Sequence, residues 1–546
     1  MADSDCNQNA SGLCSEAEGN TTTASGFASH AEGYQTTASA AASHAEGHQS
    51  NASMDSAHAE GSFTSASGAA SHAEGYMTLA TIDAAHAEGS YTTASGYEAH
   101  AEGYLTVSSG QAAHAEGSRS IASGYGAHAE GADSNASGDA SHAEGVGAAA
   151  VGEASHAEGR NTTASGSVSH AEGYVTKANG NYSHAEGYLT SANGSYSHTE
   201  GFETIVIGSA SHAEGYLTKA NGNYSHAEGR STSANGDYSH AEGFNTRASG
   251  IYTHAEGDST QANGSHSHAE GYGTQSNGNF SHAEGSNTSA NGTMSHAEGV
   301  GTNASGSYSH AEGNGTTVQI AHDGSHIMGT VGETLYPGSW HLANGSIAPR
   351  VSSLAAVLQG STGNLYIDGT VMSPAADYAE MFETIDGQLI EPGYFVTTVG
   401  EKVRKATNTD DYVAGIVSAR PSFIGGASHL NWIGKYETDE WGKIQYEERV
   451  VLEQKDKRGE VIVPAYTINS AVISTSYDHS REYVSRIDRM EWVAIGMMGK
   501  LLVRDDGTCQ VDGYCRPNDE GIATAATAGF RVLARTGANQ IKVLVK

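Results

Sequence analysis

The chain has 546 residues, 62 acidic and 27 basic side chains, a formal net charge of -35, and 70 glycines against 7 prolines. Of these, 34 acidic and 6 basic residues fall within the first 313 positions, a surface that repels phosphate backbones and disfavours nucleic-acid binding. The composition fits neither a collagen repeat nor a proline-rich array; no run of about 18 apolar residues could cross a membrane as a helix, and the opening "MADSDCNQNA" lacks the basic and apolar regions of a secretion signal.

After a tail over residues 1–5, a repeat fills residues 6–313. His30 returns as His44, His58 and onward to His310, giving 21 histidines at an interval of 14 without a slip. Glu32, Glu46, Glu60 and their successors to Glu312 keep the same step, and the first turn writes Glu16 in the histidine place. A second signature, "TTASG" at Thr22 to Gly26 and "TKANG" at Thr176 to Gly180, holds Thr, Ala and Gly at fixed offsets. No apolar residues recur at helical spacing. Short alternating segments closed by glycine predict strand, turn, strand, turn, so each repeat is one coil of a parallel β-roll. Glycine supplies positive φ or close approach at the turns, although Ala40, Met54 and Ile82 stand where Gly26 stands and require an ordinary φ.

A coil with only Ala, Ser and Thr to bury has almost no core alone and is expected to need company. The coil length and the "ASG" strings resemble the head repeats of YadA-type trimeric autotransporter adhesins. That resemblance implies a left-handed parallel roll in a homotrimer, with one departure: His and Glu stand where that family writes branched apolar residues. On a strand, His30 and Glu32 share a face and Ala31 takes the other. Three readings are open for the pairs His30 and Glu32, His44 and Glu46, His58 and Glu60, through His310 and Glu312. They form a structural ladder of hydrogen bonds, a solvated polar face, or a metal array; the ladder is preferred, with no metal or other cofactor expected. A glutamate partner would raise each folded histidine pKa, so that the roll would be most stable in mildly acidic buffer.

Residues 314–364 read as a β-rich connector and residues 365–376 as a strand leading into a local carboxylate cluster, Asp377, Glu380 and Glu383. The remainder, 377–546, alternates short strands and turns and is expected to be mostly β. Cys6, Cys14, Cys509 and Cys515 are too few for a disulfide framework and lack zinc spacing. They are read as reduced packing residues, with a Cys509–Cys515 clip as the alternative.

The strings "SPAADYAEMFE" at Ser373 to Glu383, "AGIVSARPSFIGG" at Ala414 to Gly426, "DEWGK" at Asp439 to Lys443 and "EWVAIGMMGKLLVRDDGTC" at Glu491 to Cys509 resemble the self-cleaving intramolecular-chaperone domain of phage pre-neck appendage and tail-spike proteins. That domain is classed as a glutamic-type peptidase. The resemblance implies a C-terminal domain that drives trimerisation and then cuts itself off in a single turnover. The cut would fall between Ala376 and Asp377, with Asp377 and Glu380 as the catalytic carboxylates. No Ser-His-Asp arrangement is legible around Ser373. The combined expectation is an all-β, trimeric phage or prophage tail fibre or appendage on the virion that contacts a bacterial surface receptor. The alternative is a bacterial surface adhesin or coat filament built from the same parts.

Overall fold

A computed structural model describes residues 6–345, 353–428, 430, 434–455, 459, 461–463 and 465–546. The tail 1–5 and part of the connector lie outside the described residues. Among the described residues, regular structure is nearly all strand, with a 3-10 turn at Arg486–Asp488, and no helix is long and apolar enough to cross a membrane. The chain divides into two units, Met1–Tyr366 and Ile367–Lys546.

The first unit is a parallel β-solenoid. Each coil contributes a longer strand such as His30–Tyr34 and a two-residue strand such as Thr37–Ala38. Every residue stacks on its own counterpart, His30 on His44, Ala31 on Ala45 and Glu32 on Glu46. Four side chains per coil point inward, seen as Ser29, Ala31, Thr36 and Ala38, each at most 1% exposed. Ser29 Oγ donates to Gly26 O at 2.9 Å. Thr36 Oγ1 is buried with no hydrogen-bond partner among the described residues, so threonine packs the interior.

Two kinds of backbone position make the coil close. Gly33, with φ +107, has no room for a side chain, since a Cβ there would lie 2.1 Å from Gly47 O in the next coil. The left-handed corners are a different set. Gln35, Ala42 and Gln49, seven residues apart, have φ of 56, 55 and 57, and Gln35 and Gln49 donate back to Asn20 O and Tyr34 O at 2.9 and 2.7 Å. The sequence reading gave positive φ to glycine, whereas most of these corners carry ordinary residues whose strain is offset by a bond to the preceding coil. Gly26 has an ordinary φ, as Ala40, Met54 and Ile82 require.

The solenoid does not stop at Gly313. The strand His310–Val318 pairs in parallel with His326–Glu333, and that strand with Trp340–Asn344. The step widens to 16 residues between His310 and His326, which hides the continuation from a strict period. Ile327 and then His341 take the inward place of alanine, and both are buried. His341 Nε2 accepts from the Leu335 and Tyr336 amides at 3.0 and 3.3 Å, and burial lowers its pKa. Leu354–Leu358 then adds in antiparallel fashion.

The histidines form one continuous column. Ring centroids of neighbours lie from 4.5 Å apart for His86 and His100 to 5.0 Å for His212 and His226, with planes nearly parallel. The expected His–Glu hydrogen bonds are not made. His30, His44 and His58 Nε2 lie 3.8, 3.7 and 3.7 Å from Glu32, Glu46 and Glu60, and His310 lies 3.5 Å from Glu298 of the preceding coil. Those nitrogens are buried and have no hydrogen-bond partner among the described residues. Along their own column the carboxyls act on one another: neighbouring glutamates push Glu60, Glu172 and Glu270 up to about 7, while Glu46 and Glu74 on either side of Glu60 and Glu186 after Glu172 are lowered. Burial, then the charge of neighbouring histidines, lowers His58, His86 and His184. This reverses the expected direction, because loss of water around the ring outweighs the attraction of a carboxylate that is itself half-exposed.

The second unit is built on a closed ring of five strands. Asp377–Thr384 pairs with Lys402–Lys405, which pairs with Phe395–Val399, then Gly415–Val417, then Trp492–Arg504, which returns to Asp377–Thr384. Val396, Val403, Val417, Val493 and Ile495 are buried in one cluster. The 13-residue strand Trp492–Arg504 runs on past the ring and continues the same sheet through Gln540–Val545 and Phe530–Gly537 to Tyr514–Pro517 and Ala523–Ala526. Its core contains Phe395, Ile416, Val503, Ile541 and Val543. Cys509 and Cys515 are free and buried in this core, in line with packing roles, whereas Cys14 is free and exposed.

Two measurements check the solenoid. Gly187→Ala, at φ +105 with its Cβ 2.2 Å from Gly201 O, destabilises the roll by about 1–3 kcal/mol or more in denaturant unfolding. Leu189→Gly, at a corner with φ 55, changes it by less than about 1 kcal/mol because relief of strain offsets the added chain entropy. For His58, His86 and His184, depressed folded pKa values mean that their contribution to stability is present above about pH 6.5 and is lost as pH falls through the folded values. Imidazole carbon shifts in an NMR titration should therefore show midpoints below about 6.5 for these three rings; midpoints above it would restore carboxylate control.

Candidate functional site

The expected cleavage position lies in the second unit, where Asp377 opens the Asp377–Thr384 strand opposite Gly499. Alternation along this strand turns Asp377, Ala379 and Met381 inward and leaves Tyr378 and Glu380 exposed. The structure therefore places Asp377 and Glu380 on opposite faces of one strand instead of side by side. Asp377 is 5% exposed and its Oδ2 has no hydrogen-bond partner among the described residues. A buried carboxylate oxygen without a donor costs several kcal/mol by order of magnitude and calls for a functional account. Glu380 lies beside Gly425 and Gly426, facing the side of the ring where Arg486 donates to Gly426 O at 2.9 Å and covers the Trp492 ring at 3.6 Å. Glu383, the third member of the sequence cluster, pairs with Lys402 at 2.7 Å.

The peptide Ala376–Asp377 is gripped by backbone from two distant segments. The Lys500 amide donates to Ala376 O at 3.3 Å, and the Ser422 amide donates to Asp377 O at 2.8 Å. Ser422 Oγ also donates to Ala375 O. Upstream, the Ala375 amide donates to Ser373 Oγ at 3.2 Å, so this serine is engaged in shaping the approach. Gly499, at φ +116, lies so close that a Cβ would stand 2.1 Å from Ala376 O, and a Cβ on Gly496 would stand 3.2 Å from Asp377 Oδ2. Between these glycines the pairing slips: Tyr378 opposes Met498 and Ala379 opposes Gly496, a bulge that bends the long strand around the peptide. An open groove of about 580 Å³ runs along this segment, lined among others by Ala376, Asp377, Arg420, Lys500, Arg504 and Lys542.

Sequence reasoning located Asp377 and missed Ser422, Gly499 and Lys500. Two glycines three apart inside a strand signal a bulge or a close backbone approach, and "GMMGK" at Gly496 to Lys500 carries that signal. Ser422 carries none, since its contacts span 45 or more residues of chain. In the other unit, His44, Glu46 and His58 bring ligand atoms within 4.8 Å of one another, and the grouping repeats along the column.

Residues 338–540 match the family model described as Peptidase_G2, IMC autoproteolytic cleavage domain. The chain is 31% identical over 227 residues to the pre-neck appendage protein of Bacillus phage B103, covering 39% of this chain and 24% of that protein. It is 36% identical over 197 residues to the putative phage-related protein YobO of Bacillus subtilis (strain 168), covering 35% of this chain and 23% of that protein. The chain thus spans about a quarter of the length of these curated relatives. Among solved structures, it is similar to a C-terminal fragment of gene product 12 of bacteriophage phi29, with 30% identity over 31% of this chain and all of the fragment, at a TM-score of 0.26.

Proposed function

We propose that this chain is a trimeric phage or prophage appendage on the virion, whose C-terminal unit drives trimerisation and then cuts the chain once between Ala376 and Asp377. The observation that carries the reading is the buried Asp377 carboxyl beside that bond, whose Oδ2 has no partner among the described residues, within the segment that matches an autoproteolytic domain. The relatives support the appendage. The roll supports the oligomer, because four small inward side chains per coil make a thin core.

In the proposed reaction a carboxylate activates water against the Ala376 carbonyl and a second carboxyl protonates the departing Asp377 nitrogen, without a metal. Asp377 is the group at the bond. Glu380 points away from it on the same strand, so in this reading Glu380 acts from a neighbouring chain of the trimer. Assembly then precedes cleavage. For attachment, the roll offers exposed rings in stacked rows, Tyr182 on Tyr196 and Tyr224 on Tyr238 on Tyr252. The receptor would be a component of the bacterial surface.

Expression of the full chain tests this. Wild type yields pieces of 376 and 170 residues on a denaturing gel, with Asp377 as the new N-terminus, whereas Asp377→Asn and Glu380→Gln each remain at full length. Co-expressing the two variants restores cutting of the Glu380→Gln chains if the glutamate comes from a neighbour; no restoration returns it to its own chain. Deleting residues 377–546 leaves the repeats aggregated or out of register by light scattering, since identical coils fit one another at every offset. Wild type that trimerises and stays uncut removes the peptidase assignment.

A further inference from the structure

We infer that Ser422 is a positioning residue that clamps both flanks of the Ala376–Asp377 peptide, and that the Gly499–Lys500 backbone is the oxyanion-binding element acting on its carbonyl. The inference rests on the proposed self-cleavage and assigns residues to it that the Asp-x-x-Glu motif does not contain.

Ser422 contributes two donors with different targets. Its amide holds Asp377 O at 2.8 Å, after the bond, and its hydroxyl holds Ala375 O, before it. One residue therefore fixes the carbonyls on either side of the peptide to be cut and leaves the carbonyl of Ala376 for another donor. That donor is the Lys500 amide, at 3.3 Å from Ala376 O. When water adds to the Ala376 carbonyl carbon, the carbonyl electron pair moves onto this oxygen. The C–N bond then breaks, with the proton going to the Asp377 nitrogen and the hydroxyl remaining on Ala376. A fixed N–H aimed at the oxygen stabilises the charge that develops there without reorganising at the moment of reaction. The 3.3 Å contact of the uncut chain shortens as charge builds.

Gly499 is what allows this approach. Its φ of +116 and the 2.1 Å that would separate a Cβ from Ala376 O mean that a side chain pushes the carbonyl off the amide. The bulge at Gly496 to Gly499 serves the same end, since the slip in pairing turns the strand around the peptide instead of continuing a flat ladder. Sequence-distant segments are required: Ser422 precedes the strand Phe423–Gly425, which pairs with Asp377–Thr384 on one side, and Trp492–Arg504 pairs on the other. The bond is held only once both neighbouring strands are in place, which ties cleavage to completed folding of this unit.

The test uses the full chain and follows the rate of appearance of the 170-residue piece, together with thermal unfolding and N-terminal sequencing. Ser422→Ala removes the hydroxyl grip and keeps the amide; it should slow cutting about tenfold or more, in the range of one lost transition-state hydrogen bond, with unchanged melting and the same cut bond. Ser422→Thr retains the hydroxyl and should recover most of the rate, an outcome a purely structural role would not give. Gly499→Ala should slow cutting further than Ser422→Ala. Wild-type rates in Ser422→Ala overturn the clamp, as does a Ser422→Thr variant as slow as Ser422→Ala. Wild-type rates in a folded Gly499→Ala overturn the oxyanion assignment. Failure of wild type itself to cut would instead remove the underlying self-cleavage reading.

Discussion

Parallel stacking of each residue on its own copy governs the first unit. In that arrangement a residue chooses its own neighbour, and whatever it carries is multiplied along the axis. Alanine on alanine closes the interior, Gly33 on Gly47 permits close backbone contact, and histidine on histidine makes a column of parallel rings. The same rule makes charge awkward, because each glutamate sits on another glutamate. The column answers by alternation, with Glu60 and Glu270 raised and Glu46 and Glu256 lowered, as when like groups share protons in place of all ionising.

Much of this was legible. The interval between histidines, the shared face of His and Glu and the opposite face of alanine follow from alternation and repeat length, whereas which face turns inward does not. The left-handed corners were not, because their requirement falls on the backbone and is met by residues as unlike as Gln35, Phe63 and Leu105. The histidine partner was misjudged for a related reason. His30 and Glu32 approach to 3.8 Å on one face, too far for a hydrogen bond, while each ring also stacks on its copy one coil away and neighbouring carboxyls act on one another, so the cross pair is only one of several contacts. The end of the roll was placed too early, since His326 and Trp340 continue the pairing after a step that a fixed interval cannot follow.

The second unit was legible by motif more than by pattern. "SPAADYAEMFE" drew attention to a segment in which the structure buries Asp377. Spacing also predicts the fate of its partner: three positions along a strand reverse the face, so Glu380 could not join Asp377 without a bend between them, and none occurs on that strand. The bend is in the opposing strand, at Gly496 to Gly499. The contacts of Ser422 with the peptide depend on the pairing of Phe423–Gly425 with Asp377–Thr384, and no local feature of the chain announces them.

The widened step between His310 and His326 has a consequence for how such a gene changes. Unequal recombination among near-identical coding segments adds or removes whole coils, and the stacked interior accepts either, since every junction between coils is alike. Beyond His310 the junctions are no longer alike: Ile327 and His341 fill the places of alanine, and His341 is bonded to its own turn through Leu335 and Tyr336. The terminal coils are therefore outside the exchange. Descendants of this chain are expected to differ in reach by integral steps while inheriting an unaltered terminus, a molecular counterpart of a telescoping pole with a fixed last section.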